Sequence, residues 1–190
     1  TFVDPDLQGC AMNAKGAAEP IVRRVEFAGD TWLFFPTIVP DVAIIRAVTD
    51  DHETLARLEA MDTGKPLKQA RADATALARY FEYYGGAADK VHGETIPFLA
   101  GYTVQTWREA HGVTGHIIPW NYPAQIFGRS LALAMGNATA LKPAEEASLT
   151  PLTIAGLALE AGFPPGAINV VTGEGTSAGE ALAAARGVDF

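Results

Sequence analysis

The stretch that decides the fold is GHIIPWNYPAQIFGRSLALAMGNATALKPAEE, residues Gly115–Glu146. Its apolar residues change period along the stretch. This predicts a strand over Val113–Ile118, a helix over Pro123–Met135 and a strand over Ala138–Lys142. The pair Gly136-Asn137 is a typical helix stop. Strands that alternate with helices of this length indicate βαβ units and a parallel sheet.

The same alternation continues downstream. It predicts a helix over Thr150–Ala161, a strand over Ala167–Val171 and a helix over Ala178–Arg186. The fold class that follows is α/β, a Rossmann-like parallel sheet with flanking helices. Residues 188–190 have the pattern of an incipient fourth strand, so we expect the domain to be truncated at its C-terminal end.

Two helices are predicted upstream of the sheet, over Asp50–Met61 and over Pro66–Ala88, with Asp50 or Asp51 as the first N-cap. Each carries apolar residues at helical spacing, which predicts a buried stripe. The stripes consist of Leu55, Leu58 and Met61 in the first helix and of Leu77, Phe81 and Tyr84 in the second.

Between the second helix and the sheet, the segment Gly93–Ile118 alternates and is rich in Thr, Val, Ile, Tyr and Trp. Ala110-His111-Gly112 stands where a hairpin would turn. The pattern therefore predicts a β-hairpin arm at about residues 95–117. A two-stranded hairpin is marginal alone in water, so the arm needs a surface on which to pack.

The composition narrows the class of partner. Acidic residues number 22 against 14 Lys and Arg, for a formal net charge of −8, which disfavours nucleic acid. The single cysteine, Cys10, cannot form an intrachain disulfide, which favours a reducing compartment. The four histidines and Cys10 show no metal-ligand spacing, and no apolar run approaches the ~20 residues of a membrane helix. We expect a soluble, cytoplasmic protein with no metal and no membrane partner.

Ligands of an open α/β sheet gather at the carboxyl ends of its strands. Pro119-Trp120-Asn121, Lys142–Glu145 and Thr172–Gly179 each follow a predicted strand, so they fall on one rim. Lys142 and Glu145 offer a donor and an acceptor that suit ribose hydroxyls, although a solvated pair in a loop has the same sequence. The glycines of the third segment form G-x-G-x-x-x-G, a weak variant of the dinucleotide fingerprint.

Asn121 has two interpretations from the sequence alone. Its amide could stabilise an oxyanion without adding a titrating group, or it could be the N-cap of the following helix. The segment DTGKP, Asp62–Pro66, is not a phosphate-binding P-loop. Glu59 stands where that motif needs glycine, and Pro66 follows Lys65 where it needs Ser or Thr.

In order along the chain, EAMDTGKP, YYGGAADKVHGETIP, GHIIPWNYP, AMGNATALKPAEEASLTPL, AGFPPGAINVVTG and GTSAGEALA resemble segments of the aldehyde dehydrogenase superfamily. The resemblance covers about residues 50–190 and implies NAD(P)-dependent oxidation of an aldehyde to a carboxylic acid. It implies that Asn121 stabilises the oxyanion and that Lys142 and Glu145 contact the adenine ribose. The other implied cofactor-binding residues are Ile117, Ile118, Pro119 and Trp120 at the cleft wall and Gly175 and Gly179 near the pyrophosphate.

The resemblance also implies the chemistry and the partners. A cysteine thiolate attacks a small-molecule aldehyde to give a thiohemiacetal, and a glutamate base activates water to hydrolyse the thioester. Glu145 should repel a 2′-phosphate, so NAD is favoured, with NADP possible. The family uses a hairpin of this kind between subunits, which implies a homodimer or a homotetramer.

The chain departs from the family pattern in several places. The Glu-Leu-Gly-Gly-Lys stretch of the family is absent, and its Phe-Thr-Gly-Ser strand would begin after Phe190. Residues 1–49 form an unassigned segment, in which TFVDPDL and FFPTIVPDV faintly resemble catalytic-domain pieces out of their usual order. Cys10 lies three residues past TFVDPDL, too close for the family nucleophile. The alternative to an enzyme is a catalytically inactive module for nucleotide binding or oligomerisation.

Overall fold

The computed structural model describes residues 2–3, 23–27, 30–34, 42–133 and 136–189. The chain divides into two compact units, Thr1–Ile38 and Val39–Phe190. The first unit contains a three-stranded antiparallel sheet of order β1-β3-β2. Its strands are β1 (Phe2–Val3), β2 (Arg23–Phe27) and β3 (Asp30–Phe34).

The second unit begins with a layer of three helices, α1 (Val42–Asp50), α2 (His52–Thr63) and α3 (Leu67–Ala87). Helices α2 and α3 were predicted, whereas α1 lies in the part of the chain that the sequence left unassigned. The division of the chain at residues 49 and 50 itself stays a prediction. Gly64 ends α2 in the left-handed conformation, at φ 73°, and donates its N–H to the carbonyl of Ala60. Asp51 precedes α2 but makes no side-chain cap bond.

The buried stripes differ from the predicted ones. In α2 the structure buries Leu55, Ala56 and Glu59, while Met61 is 78% exposed. In α3 Leu77 and Phe81 are buried as predicted, but the stripe continues toward Asp73 rather than toward Tyr84, which is only half-buried. The buried faces of α2 and α3 thus each contain an acidic residue, Glu59 and Asp73. A prediction based on the spacing of apolar residues does not detect them.

The hairpin turn was misplaced by the sequence. Strand β4 (Thr95–Ile96) pairs antiparallel with β5 (Val104–Gln105), so the turn lies within residues 97–103 and contains Gly101 at φ 88°. Residues 110–112 lead instead into β6 (Val113–Ile117), a strand of the parallel sheet. Alternation runs unbroken through the hairpin and β6, so the period alone could not separate them.

The predicted parallel sheet is present. It contains β6, β7 (Ala138–Lys142) and β8 (Ile168–Val170) in the order β6-β7-β8. Both pairs are parallel, and Ile117 lies opposite Lys142 in the register. This register brings the carboxyl ends of β6 and β7 to the same edge.

Three helices follow the strands: α4 (Pro123–Leu133), α5 (Leu149–Glu160) and α6 (Glu180–Ala183). The predicted end of α4 at Met135 lies outside the described residues. The last helix is shorter than predicted at both ends: it begins at Glu180, because residues Gly175–Gly179 form a π-helical turn before it, and it ends at Ala183.

The core of the second unit joins the sheet to the helices. Phe127, Leu141 and Ile154 are fully buried, and they pack in one cluster with Leu55 and Leu77. Burying a side chain of this size contributes roughly 1.5–3 kcal/mol. Within the described residues, no helix combines the length and the apolar character that a membrane span needs.

Candidate functional site

Three segments leave the sheet at one edge, as the sequence predicted from their positions after the strand ends. Beyond β6, the N–H of Ile118 donates to the carbonyl of Lys142 at 2.9 Å, and beyond β8 the N–H of Val171 donates to that of Leu141 at 2.9 Å. The backbone hydrogen bonds of the sheet therefore continue to this edge, and the three segments diverge beyond it. We call residues 117–121, 142–145 and 172–179 the rim.

Lys142 and Glu145 form an ion pair in the middle of the rim. The Lys142 Nζ donates to Glu145 Oε2 at 2.6 Å. The two partners differ in exposure: the Lys142 side chain is 3% exposed, whereas that of Glu145 is 46% exposed. The lysine is buried at the end of strand β7, and the turn after the strand brings the carboxylate back to the ammonium.

The environment of Glu145 keeps it ionised. The hydrogen bond from Lys142 lowers the pKa of Glu145, and backbone N–H groups of Glu145 and Gly175 lower it further, against a small effect of burial. The contact with Gly175 also links the second and third segments of the rim. At neutral pH the rim therefore presents a carboxylate held by donors from two segments.

The glycine turn of the third segment has an uncommon geometry. The carbonyl of Glu174 accepts both the N–H of Ala178 at 2.9 Å and that of Gly179 at 3.3 Å, the wider turn of a π-helix. Gly179 is buried, and a Cβ there would lie 3.9 Å from Ile117 Cδ1, so the first and third segments lie close together.

The glycine that this turn requires is Gly173. Its φ is 149°, and a Cβ would lie 2.8 Å from the Cβ of Ala178. Gly175, by contrast, has no positive φ, and a Cβ added there would meet no atom within 4 Å. The sequence included Gly173 in the fingerprint but did not single it out.

The first segment forms an exposed apolar wall. Ile117 is 55% exposed and Trp120 is 57% exposed, while Ile118 between them is buried at 2%. Pro119 is exposed as well. Ile117 also borders an open groove of about 360 Å³ with Leu182 and Val188. Large apolar side chains at a strand end, beside charged groups, suit a ligand with flat ring faces.

Asn121 lies one residue before the N-cap of α4. The first helical hydrogen bond runs from the N–H of Ile126 to the carbonyl of Tyr122 at 3.0 Å, which makes Tyr122 the N-cap and Pro123 the first helical residue. Within the described part of the chain, the exposed Asn121 side chain makes no hydrogen bond. This geometry favours a free amide donor over the capping interpretation.

A buried charge cluster lies behind this segment, and the sequence did not predict it. Lys65 Nζ donates to Glu59 Oε1 at 2.8 Å and to Asp73 Oδ2 at 2.7 Å. The side chains of Glu59 and Asp73 are 1% and 0% exposed. The lysine of DTGKP is thus directed between two carboxylates, which agrees with the rejection of a P-loop.

Comparison with known proteins identifies the family. The chain belongs to the aldehyde dehydrogenase family, whose model matches residues 42–190. It is 44% identical over 187 residues to hydroxyisobutyraldehyde dehydrogenase of Mycolicibacterium austroafricanum, covering 93% of this chain and 37% of that protein.

Solved structures of the family superpose on this fold. A crystal structure of an aldehyde dehydrogenase from Burkholderia cenocepacia is 66% identical, with a TM-score of 0.75, over 77% of this chain and 31% of the other. The NAD+ complex of an aldehyde dehydrogenase from Bacillus cereus is 40% identical, with a TM-score of 0.75, over 77% and 30%. The chain spans about a third of the length of these relatives.

The predictions for the N-terminal segment cannot be compared with the described side chains. Cys10 and the segments TFVDPDL and FFPTIVPDV are not among the residues whose side chains the structure describes. Within the described ranges, no group of three or more His, Cys, Asp and Glu side chains could hold a metal ion.

Proposed function

We propose that this chain is the cofactor-binding part of an NAD-dependent aldehyde dehydrogenase, which oxidises an aldehyde to a carboxylic acid. The observation that carries the proposal is the Lys142–Glu145 pair, held at the rim of a sheet in a chain of the aldehyde dehydrogenase family. Relatives crystallised with NAD+ at 40% identity support the choice of cofactor.

The chemistry of the rim fits the adenosine end of NAD. The Lys142 ammonium donates and the Glu145 carboxylate accepts, so the pair suits two vicinal ribose hydroxyls. Ile117, opposite Lys142 in the register, and the exposed Trp120 provide apolar surface on the same rim. We assign Ile118 and Pro119 to the backbone and wall of the same cleft, and Gly175 and Gly179 to the turn that faces the pyrophosphate.

Discrimination between NAD and NADP rests on Glu145. Because its pKa is lowered, the carboxylate is ionised at neutral pH. The 2′-phosphate of NADP would be repelled by this negative charge. It also replaces the 2′-hydroxyl, so the carboxylate would no longer accept a hydrogen bond from that hydroxyl. We therefore propose NAD as the preferred cofactor.

The contribution of this chain to the chemical step is Asn121. Bound NAD supplies the hydride acceptor. As a thiolate adds to the aldehyde carbon, the carbonyl oxygen becomes negative, and we propose that the free amide of Asn121 donates to it. We assign neither the nucleophilic cysteine nor the general base to a described residue.

The cofactor site is tested by calorimetric titration of NAD and NADP into the chain. A hydrogen bond to a charged group typically changes a binding constant by about 10- to 100-fold. Glu145 is half-exposed, so we expect Glu145→Gln to weaken NAD binding about tenfold and to narrow the preference over NADP. Lys68→Met, on the exposed surface of α3, is the control. Unchanged affinity for both cofactors in Glu145→Gln would refute the assignment.

Measuring aldehyde oxidation by the native protein distinguishes the proposed enzyme from the alternative, a catalytically inactive nucleotide-binding module. NAD binding together with aldehyde oxidation supports the enzyme. NAD binding without turnover of any aldehyde supports the inactive module.

We also propose that the chain self-associates through its hairpin. Phe98, Leu99, Tyr102 and Trp107 are 65–70% exposed. Contiguous exposed apolar surface of this kind marks interaction sites. A homodimer or a homotetramer would cover it. We also propose that the protein is cytoplasmic, because a reducing compartment keeps a cysteine nucleophile in its thiol form.

A further inference from the structure

We infer that Lys65 is a positioning residue that holds the segment carrying Asn121 through contacts with the start of α4. This inference rests on the proposed oxyanion role of Asn121. Lys65 lies in the loop between α2 and α3 and makes no hydrogen bond or ion pair with the described residues of the rim. Its effect on the site would pass through Tyr122 and, by way of Asp73, through Gln125.

The first observation is the direct contact with Tyr122. The Lys65 Nζ lies 4.6 Å from the centroid of the Tyr122 ring, within the range of a cation–π interaction. Two of its N–H donors are already directed at Glu59 and Asp73. The ammonium is therefore fixed by two carboxylates and presents its remaining face to the ring of the residue that follows Asn121.

The second observation is the contact of Asp73 with α4. Gln125 Nε2 donates to Asp73 Oδ1 at 2.6 Å, and Gln69 Nε2 donates to the same oxygen at 2.9 Å. The side-chain oxygen of the same amide, Gln125 Oε1, accepts from Arg129 Nη2 at 3.2 Å. Both ends of the Gln125 amide are thus engaged, and one of them ties the first turn of α4 to α3.

The charges of the cluster support a tight arrangement. Burial pulls the pKa of Lys65 down, but the hydrogen bonds to Asp73 and Glu59 outweigh it and raise the pKa above its usual value. The ammonium therefore stays charged at neutral pH. Burial raises the pKa of Glu59, against the opposing effect of Lys65.

Stability alone is a weak reason for such a cluster, because a buried ion pair often contributes little net free energy. Precise placement is a stronger reason, since a displacement of about 1 Å in a reacting group can cost ~10² in rate. Asn121 makes no hydrogen bond of its own within the described residues. Its position therefore depends on the backbone on both sides of it, which the sheet holds at Ile118 and which the cluster contacts at Tyr122 and Gln125.

The test combines a spectroscopic and a kinetic measurement. Trp120, adjacent to Asn121, becomes the only tryptophan when Trp32 and Trp107 are changed to Phe. In this background, fluorescence anisotropy of Trp120 reports the mobility of the segment without cofactor or substrate. In the native protein, kcat and the KM for NAD are measured separately.

We expect Lys65→Met to lower the anisotropy of Trp120 and to lower kcat about 10- to 100-fold, with the KM for NAD changed by about twofold or less. Tyr122→Leu, which leaves the ion cluster intact, should reproduce both effects. Tyr122→Phe keeps the aromatic face and should restore them toward the wild type. Lys68→Met removes an exposed lysine at the start of α3 and should change neither.

If Lys65→Met fails to fold, the comparison of Tyr122→Leu with Tyr122→Phe decides alone. Unchanged anisotropy and kcat in folded Lys65→Met and Tyr122→Leu would overturn the inference and leave a purely structural cluster. A parallel loss of NAD affinity would also overturn it. If the wild type shows no NAD binding or turnover, the proposed function fails, while the anisotropy still decides whether Lys65 positions the segment.

Discussion

Replacing Asn121 by aspartate tests the proposed oxyanion role directly, because it exchanges an N–H donor for a carboxylate of the same size. The structure predicts little effect on stability. The side chain is exposed, and a negative charge just before a helix N-terminus is favourable. Surface substitutions of this kind change the free energy of unfolding by about 0.5 kcal/mol or less. The thermal midpoint should then move by roughly 2 °C or less.

The expected effect on turnover is much larger. Loss of one oxyanion donor typically costs ~10²–10³ in kcat, or about 2.7–4 kcal/mol of transition-state stabilisation. The carboxylate adds repulsion, so we expect a loss of at least ~10². The assay is kcat in the native protein at saturating aldehyde and NAD, beside the thermal midpoint of each variant.

Asn169→Asp is a control that should lower the thermal midpoint but not kcat, the opposite of the result expected for Asn121→Asp. The Asn169 amide donates to the carbonyls of Gly166 at 2.8 Å and Thr139 at 3.2 Å. A carboxylate would face two acceptors there, so the thermal midpoint should fall while kcat at a permissive temperature is kept. Near-normal turnover in Asn121→Asp would refute the oxyanion role and remove the strongest catalytic residue from the rim.

Individual contacts give three further predictions. Gly173→Ala should destabilise the fold by about 1–3 kcal/mol, because Gly173 has a φ of 149° and an added Cβ would lie 2.8 Å from the Cβ of Ala178. Gly156→Ala is the control, because a Cβ on Gly156 in α5 would meet no atom within 4 Å, and it should not destabilise the fold. Thermal melts of both variants measure the difference. Arg71 and Arg57 lower the pKa of Glu53 from its usual 4.5 to about 2. Its stabilising contribution is therefore present above pH 4.5 and lost as the pH falls toward 2, so Glu53→Gln should flatten the fall of the thermal midpoint across that window, and an unchanged slope would contradict this. Light scattering should show that wild type is a dimer or tetramer and that replacing Tyr102 and Trp107 by Ser lowers its mass; a monomeric wild type at micromolar concentration would count against the hairpin interface.

The sequence predicted the sheet well because its information is local. Strand β7 has the predicted bounds, since a Gly-Asn stop precedes it and a Lys-Pro pair ends it. The hairpin turn was wrong because the alternation does not change between the arm and β6. The placement of Lys142 and Glu145 at the ligand-binding edge of the sheet followed from their position after a strand end, but the burial of the lysine beneath its partner could not be predicted in this way.

The cluster around Lys65 was missed because it depends on contacts between elements. A signal was nevertheless present in the sequence. Glu59 follows Leu55 by four residues and Asp73 precedes Leu77 by four, so each acid lies on the apolar face of its helix. A carboxylate on an apolar stripe must find a partner when it is buried. Two such acids on either side of DTGKP indicate that its lysine is the shared partner.

The two lysines of low exposure in residues 42–133 and 136–189 differ in a way that separates their roles. The ammonium of Lys65 has two buried carboxylates and an aromatic face around it, so its bonding capacity is filled within the protein. The ammonium of Lys142 is as deeply buried but is held by one carboxylate, which is itself half-exposed. Burying a charge is costly unless its hydrogen bonds are made, and Lys142 retains donors beyond the one that Glu145 accepts. We therefore propose that Lys142, whose remaining donors lie beside an ionised acceptor, is the lysine that contacts the ribose diol. We likewise propose that the saturated lysine, Lys65, is a structural support for the segment that carries Asn121 and does not bind ligand.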